Sequence, residues 1–303
     1  MKLNEESITV NLDYLPPFDW ESVLAFFRAH QVPELESVDS KGYERAFATR
    51  GRRLGLLRVT HSGPRKRTLR LDLTNVPVNA VATVTKSVRH MFDLDVEPKR
   101  IADGMKSDAY LSKLWSLYPG LRVAHSWDRF ETLVRTILGQ LVSVSFGRTL
   151  TRELMQYGTK VRHPKTNEPI FLFPTPEQLA SCDLSVVRTS EMRRTAIRAV
   201  ASLVRNKTIP LDGPASSKEL KKILLSVPGV GPWSAEYIAM RGFGDDDAFP
   251  ATDYGLKQEI KRHPEMNIND VRPWRAYAAA VLWKTFTARK AYFINASIPP
   301  SAS

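Results

Sequence analysis

The sequence predicts an α+β protein that is mainly α, with an antiparallel sheet-and-helix domain first and helices for the rest. Two observations carry this. Before Pro98, apolar residues occur at alternate positions in separate short segments; beyond it they recur every three or four positions almost to the end. A chain of 303 residues also exceeds one average domain of about 100 to 200 residues, so more than one packed unit is expected.

Taken in order, "SITVNLDY" puts Ile8, Val10 and Leu12 on one face, "LGLLRVTH" is apolar with a β-branched end, and "RTLRLDLT" alternates Leu69, Leu71 and Leu73. These read as three half-buried strands, and the alternation favours antiparallel pairing with one face exposed. Residues 19–30 and 78–92 have helical spacing and should pack on that sheet, closing a domain over 1–98. In "WDRFETLVRTILGQLVSVSFGRTLTRELM", Phe130, Leu133, Val134, Ile137, Leu138, Leu141 and Val142 keep one stripe across Gly139-Gln140, which reads as a helix, a brief loop and a second helix. The Pro-rich, polar "VRHPKTNEPIFLFPTPEQL" marks a surface insertion, with a helix starting at Thr175 to Glu177. Further helices are expected near 186–205, 215–226, 232–241, 254–262 and 272–289, and the tail "NASIPPSAS" reads as frayed.

Charge narrows the function. The chain carries 44 Lys+Arg against 32 Asp+Glu, net +12, which points to a polyanionic partner. Residues 1–98 hold 14 basic and 13 acidic side chains; residues 99–303 hold 30 and 19, so the helical part should bind the anion. The single cysteine, Cys182, excludes an intramolecular disulfide framework and any four-cysteine zinc or iron–sulfur site. Glu5 and Glu6 stand where a signal peptide needs an apolar core, and no stretch approaches the roughly 18 apolar residues of a spanning helix; a cytoplasmic protein is expected.

Residues 217–260, "SKELKKILLSVPGVGPWSAEYIAMRGFGDDDAFPATDYGLKQEI", are the most informative. An amphipathic helix leads through Pro228-Gly229-Val230-Gly231 into a helix opened by Pro232. Two glycines beside a helix N-terminus can present main-chain amides to a phosphate. An ordinary αα-hairpin with a glycine C-cap fits "PGVG" equally well; the basic surroundings favour phosphate.

"LLSVPGVGPWSAEYIAMRGFG" followed by "TDYGLKQ" resembles the helix-hairpin-helix DNA glycosylase superfamily, specifically its bacterial 3-methyladenine DNA glycosylase II type. "PPFDWESVLAFFRAH", "RTILGQLVSV" and "RPWRAYAAAVLW" resemble the same family in the same order, so the likeness covers nearly the whole chain. It implies an N-terminal antiparallel α+β domain and two helical domains with a cleft between them: 124–245 with the wedge loop and hairpin, and 99–123 plus 246–303 with the catalytic aspartate. The bacterial nucleoid becomes the expected setting, and double-stranded DNA with alkylated bases the expected partner of a monomer.

The resemblance also assigns residues. Asp253 matches the catalytic aspartate, where a fixed carboxylate would stabilise the positive charge that develops on the sugar as the C1′–N bond breaks. By spacing alone it is an N-cap, and the two roles are compatible. Leu141 matches the apolar wedge inserted into the duplex, although its place on a helical stripe also reads as core. Trp233, Tyr237, Tyr254 and Trp283, with Phe26, match the base pocket, where electron-rich rings attract cationic alkylpurines; Tyr237, one turn after Trp233, could instead simply stack on it. Trp233 stands where strand-cleaving relatives carry a Schiff-base lysine, which implies a monofunctional glycosylase. Gly229, Gly231, Pro232 and Ser234 match the DNA-backbone site. The carbonyls of Leu225, Val227 and Val230 match a monovalent cation site, and no cofactor is required.

Two other readings compete: a non-catalytic damage-binding protein, against which Asp253 argues, and a glycosylase/lyase using another amine such as Lys257. The run Asp245, Asp246 and Asp247 is expected to be a solvated loop without catalysis.

Overall fold

The computed structural model describes residues 7–49, 54–63, 65–163, 166–212 and 216–296. Its first part is a five-stranded antiparallel sheet of β1 (Ser7–Asp13), β2 (Glu36–Val38), β3 (Gly42–Ala48), β4 (Leu54–His61) and β5 (Thr68–Thr74), in the order β1-β5-β4-β3-β2. Alternation sets the register: Val10 lies opposite Leu71 and Leu71 opposite Val59, so one face is continuously apolar. Helices α1 (Trp20–His30) and α2 (Val78–Met91) cover that face with Val23, Leu24 and Phe27 and with Val84, Val88 and Met91.

Strands β2 and β3 go beyond the sequence expectation, and the reason is chemical. In "GYERAFA" the buried positions include Arg45, so a charge stands where period two calls for an apolar residue. Arg45 pairs with Glu36 of β2 and with Glu131 of the helical part, and Arg135 reaches both acids at 3.1 and 2.7 Å. Tyr43 donates to Glu36 at 2.6 Å. This buried network ties the sheet to the helices.

Beyond β5 and α2 the chain continues as α3 (Pro98–Met105), α4 (Ala109–Leu117), α5 (Arg129–Leu138) and α6 (Val144–Leu154). The polar insertion forms a two-stranded ribbon, β6 (Lys160–Arg162) with β7 (Pro169–Phe171), before α7 (Pro176–Ser181), which Thr175 and Gln178 open with a capping box. Then follow α8 (Glu191–Arg205), α9 (Ser217–Leu225), α10 (Pro232–Phe243), α11 (Tyr254–Arg262) and α12 (Arg275–Ala296). Helix α8 starts later than expected because Ser190 caps it, accepting from the Arg193 amide. One apolar cluster runs from Ile101 to Leu282, while the sheet domain has its own, from Leu12 to Leu94 with Ala124. Among the described residues no helix is long and apolar enough to cross a membrane.

The acidic run is not a solvated loop, and that expectation is corrected here. Asp245 pairs with Lys221 at 2.9 Å, and Asp247 receives Arg275 at 2.7 Å and Arg272. Burial, with Asp93 nearby, pushes Asp246 up to about 6. The run clamps the end of α10 to α12.

Candidate active site

Asp253 ends the loop after α10 and caps α11, its Oδ1 accepting from the Leu256 amide at 3.2 Å. That is the local reason for its orientation, and two indoles complete it. Trp283 Nε1 donates to Oδ1 at 2.8 Å and Trp233 Nε1 donates to Oδ2 at 3.1 Å. A carboxylate has about four acceptor positions, so three are taken and one on Oδ2 remains for a water or a sugar. The cap and the cluster of rings share one side chain.

Helix α10 lines up Trp233 and Tyr237 one turn apart, stacked with centroids 5.0 Å apart at 16°. Tyr237 meets Trp283 edge-on at 6.2 Å and 66°. Phe26, on α1, reaches the same place through Arg241, whose guanidinium lies 4.4 Å from its ring, 5.4 Å from Trp283 and 5.7 Å from Tyr237. The structure thus brings together Asp253, Trp233, Tyr237, Trp283 and Phe26 from three helices and a loop. Tyr254 stands apart: it is 71% exposed and packs edge-on against Phe286 at 6.0 Å.

Arg241 escaped sequence reading. It sits four residues after Tyr237, so the same helical face that presents the rings presents the cation, and that spacing was the available signal. Burial lowers its pKa, although nothing in the normal range deprotonates a guanidinium.

Leu141 is fully exposed, 102% on the relative scale, and adopts φ +55° in the loop between α5 and α6. It is not a core residue. Beside it Gln140 turns inward: its side-chain amide donates to the Gly229 carbonyl at 2.9 Å and to the Ser234 hydroxyl at 2.7 Å, and its own carbonyl accepts from Arg193.

In the hairpin between α9 and α10, Gly229 has φ +89°, and a Cβ there would meet Met192 Cγ at 3.1 Å. Gly231, the N-cap of α10, needs neither freedom: its φ is −94° and a Cβ would meet nothing within 4 Å. Among the described residues no contact requires glycine there. Pro232 is exposed at the first turn. Ser234 is buried, and its hydroxyl accepts from the Gln140 side-chain amide. Of the three carbonyls expected to hold a cation, that of Val227 already accepts from the Val230 amide at 3.0 Å.

A separate open groove of about 550 Å³ lies between β3, α2 and Trp127, lined by residues such as Phe47, Thr49, Pro77 and Thr83. Among the described residues its lining holds no titratable side chain.

Comparison with known proteins bears on this arrangement. Residues 9–128 match the model of the AlkA N-terminal domain. Over 286 residues the chain is 33% identical to DNA-3-methyladenine glycosylase 2 of Escherichia coli, covering 90% of this chain and 96% of that protein. It is 32% identical over 288 residues to a probable bifunctional transcriptional activator/DNA repair enzyme AlkA of Mycobacterium tuberculosis, covering 92% of this chain but 57% of that one, a little over half its length. The solved 3-methyladenine DNA-glycosylase of Archaeoglobus fulgidus has the same fold, with TM-score 0.74 at 19% identity over 92% of this chain and 98% of its own.

Proposed function

Since the chain belongs to the DNA-3-methyladenine glycosylase 2 (AlkA) family, we propose that it is a monofunctional DNA N-glycosylase of base excision repair. It takes alkylated purines such as 3-methyladenine and 7-methylguanine out of duplex DNA and hydrolyses the bond to the sugar. The observation that carries the reading is the pair of indole N–H donors, Trp233 and Trp283, on the two oxygens of Asp253. The carboxylate is held by the rings that would hold the base.

The steps follow from the parts. Rotating a nucleotide out of the stack costs a few kcal/mol, and Leu141 fills the gap left behind. Main-chain amides at the hairpin and the positive end of α10 hold a phosphate, which can approach closely because Gly231 has no side chain. The base lies against Trp233, Tyr237, Trp283 and Phe26, and its sugar faces Asp253. As the C1′–N bond breaks, the carboxylate stabilises charge on C1′, and its remaining acceptor position orients the attacking water. Trp233 offers no amine, and Lys257 is exposed on α11, so no Schiff base is expected.

The protein acts as a monomer in the cytoplasm, and no cofactor takes part. A monovalent cation at the carbonyls of Leu225, Val227 and Val230 would stiffen the hairpin, with one lone pair of Val227 O still free. The deciding experiment is base release from a methylated duplex by the wild type and by Asp253→Asn, with borohydride added. Release by the wild type alone, without a trapped adduct, is expected; equal release by both sinks the reading.

A further inference from the structure

The cradle has a floor that the steps above do not use. Arg241 is 7% exposed, and its guanidinium lies against the rings of Phe26, Trp283 and Tyr237. Its Nη1 donates to the Ala124 carbonyl at 2.7 Å, its Nε has no hydrogen-bond partner, and among the described residues it forms no ion pair. Only the Tyr237 side chain and, without contact, the charge of Asp93 offset its burial, and a buried cation with no direct ion pair is costly, so its place under the rings calls for more than packing. Trp283 touches both charges of the site, with its ring near Arg241 and its N–H on Asp253. Tyr237 and Trp233 make a second path between them.

We propose that Arg241 sets the charge preference of the pocket, forming with Asp253 a fixed dipole along which positive charge moves as the glycosidic bond breaks. This rests on the glycosylase reading above. In a cationic alkylpurine the C1′–N bond breaks with its electron pair going to the base, which becomes neutral, while C1′ takes the positive charge. A water oxygen then bonds to C1′ and its proton passes to solvent, leaving an abasic sugar and a free base. The charge leaves the Arg241 end and arrives at the Asp253 end, repelled where it starts and attracted where it finishes. That is differential stabilisation of the transition state. Arg241 also occupies the rings, so the cradle holds a cationic base less tightly than free rings would.

The test uses the whole protein, single-turnover release of 7-methylguanine, and binding of two duplexes slowed in cleavage by a 2′-fluorine, one with 7-methylguanine and one with neutral hypoxanthine. Arg241→Gln and Arg241→Met should slow release about 10-fold, as expected for losing one charge interaction at an effective dielectric near 20. They should also tighten binding of the cationic duplex while leaving the neutral one unchanged. Arg241→Lys, which keeps the charge, should restore the wild-type ratio of the two affinities. Parallel loss of rate and of both affinities would mean that Arg241 only packs the cradle, and unchanged rate and ratio would equally overturn the proposal. If melting curves show the charge-free variants unfolded, a shifted affinity ratio in Arg241→Lys overturns it. A wild type that releases no base would instead refute the glycosylase reading.

Discussion

The side-chain amide of Gln140 donates to the Ser234 hydroxyl at 2.7 Å, which ties the loop bearing Leu141 to the first turn of α10. Leu141 and the first turn of α10, to which the proposed function gives the base stack and the phosphate backbone, are thereby linked. Leu141→Ala should leave the melting temperature unchanged, because the side chain touches nothing in the free protein. It should lower excision from duplex more than from single strands, since only the duplex has a stack to refill. Equal losses on both substrates would contradict the wedge.

Gln140→Ala should act differently. It leaves the buried Ser234 hydroxyl without its donor, a loss of about 1–3 kcal/mol, and frees the loop. Chemical denaturation should show that loss, and the double variant Gln140→Ala/Ser234→Ala should recover part of it. A double variant no more stable than the single one would mean that the bond is incidental.

The two hairpin glycines should separate stability from binding. Gly229→Ala forces an L-residue to φ +89° against Met192, so it should destabilise by about 1–2 kcal/mol. Gly231→Ala meets no such obstacle and should fold with less than about 1 kcal/mol change, yet weaken DNA binding about 10-fold if its Cβ displaces a phosphate from a charge-assisted bond. Filter binding and melting curves on both variants decide it; a Gly231→Ala chain with wild-type affinity rules out close phosphate approach.

Asp253→Asn should lower single-turnover excision at least about 100-fold with DNA binding kept, the scale of losing one strong electrostatic stabiliser. Trp283→Phe keeps a ring and removes the donor to Oδ1, so it isolates the orienting hydrogen bond; about a 10-fold loss is expected. Wild-type rates for Trp283→Phe would show that ring packing alone holds the carboxylate.

Much of this was legible in the sequence, and its limits have a physical cause. Alternation exposed β1 and β5, an apolar run with a β-branched end β4, and helical spacing α1 and α2, because those signals are local. β3 hid because Arg45 satisfies its burial with Glu131, 86 positions away, and no local period reports such a partner. The same applies to the site. The hairpin and Asp253 stand in one segment, whereas Arg241 matters only once Phe26 from α1 and Trp283 from α12 close around it. Tyr254 shows the converse: adjacent to Asp253 in sequence, it turns away to Phe286 at the start of α11.

Acid should destabilise the fold before its paired carboxylates titrate. Burial lowers His30 to about 4, the Phe26 carbonyl offsetting only part of it, and burial with neighbouring His125 and Arg129 lowers His90 to about 4. An unfolded histidine titrates near 6.5, so between about 6.5 and 4 the unfolded chain binds the extra protons and stability falls with pH, by up to about 1.4 kcal/mol per unit for each histidine. Asp246 has the opposite sign: raised to about 6, it is protonated in the fold before the unfolded chain, so it gains stability as pH falls through 6. Two histidines against one aspartate leave a net loss. Denaturant midpoints should therefore decline from pH 7 to 5, and more steeply in Asp246→Asn, which removes the compensating proton. Midpoints that stay flat or rise over that range in the wild type would mean that His30 and His90 are protonated in the folded protein, and that the packing of His30 on Phe26, with ring centroids 4.3 Å apart, tolerates a charge beside the cradle.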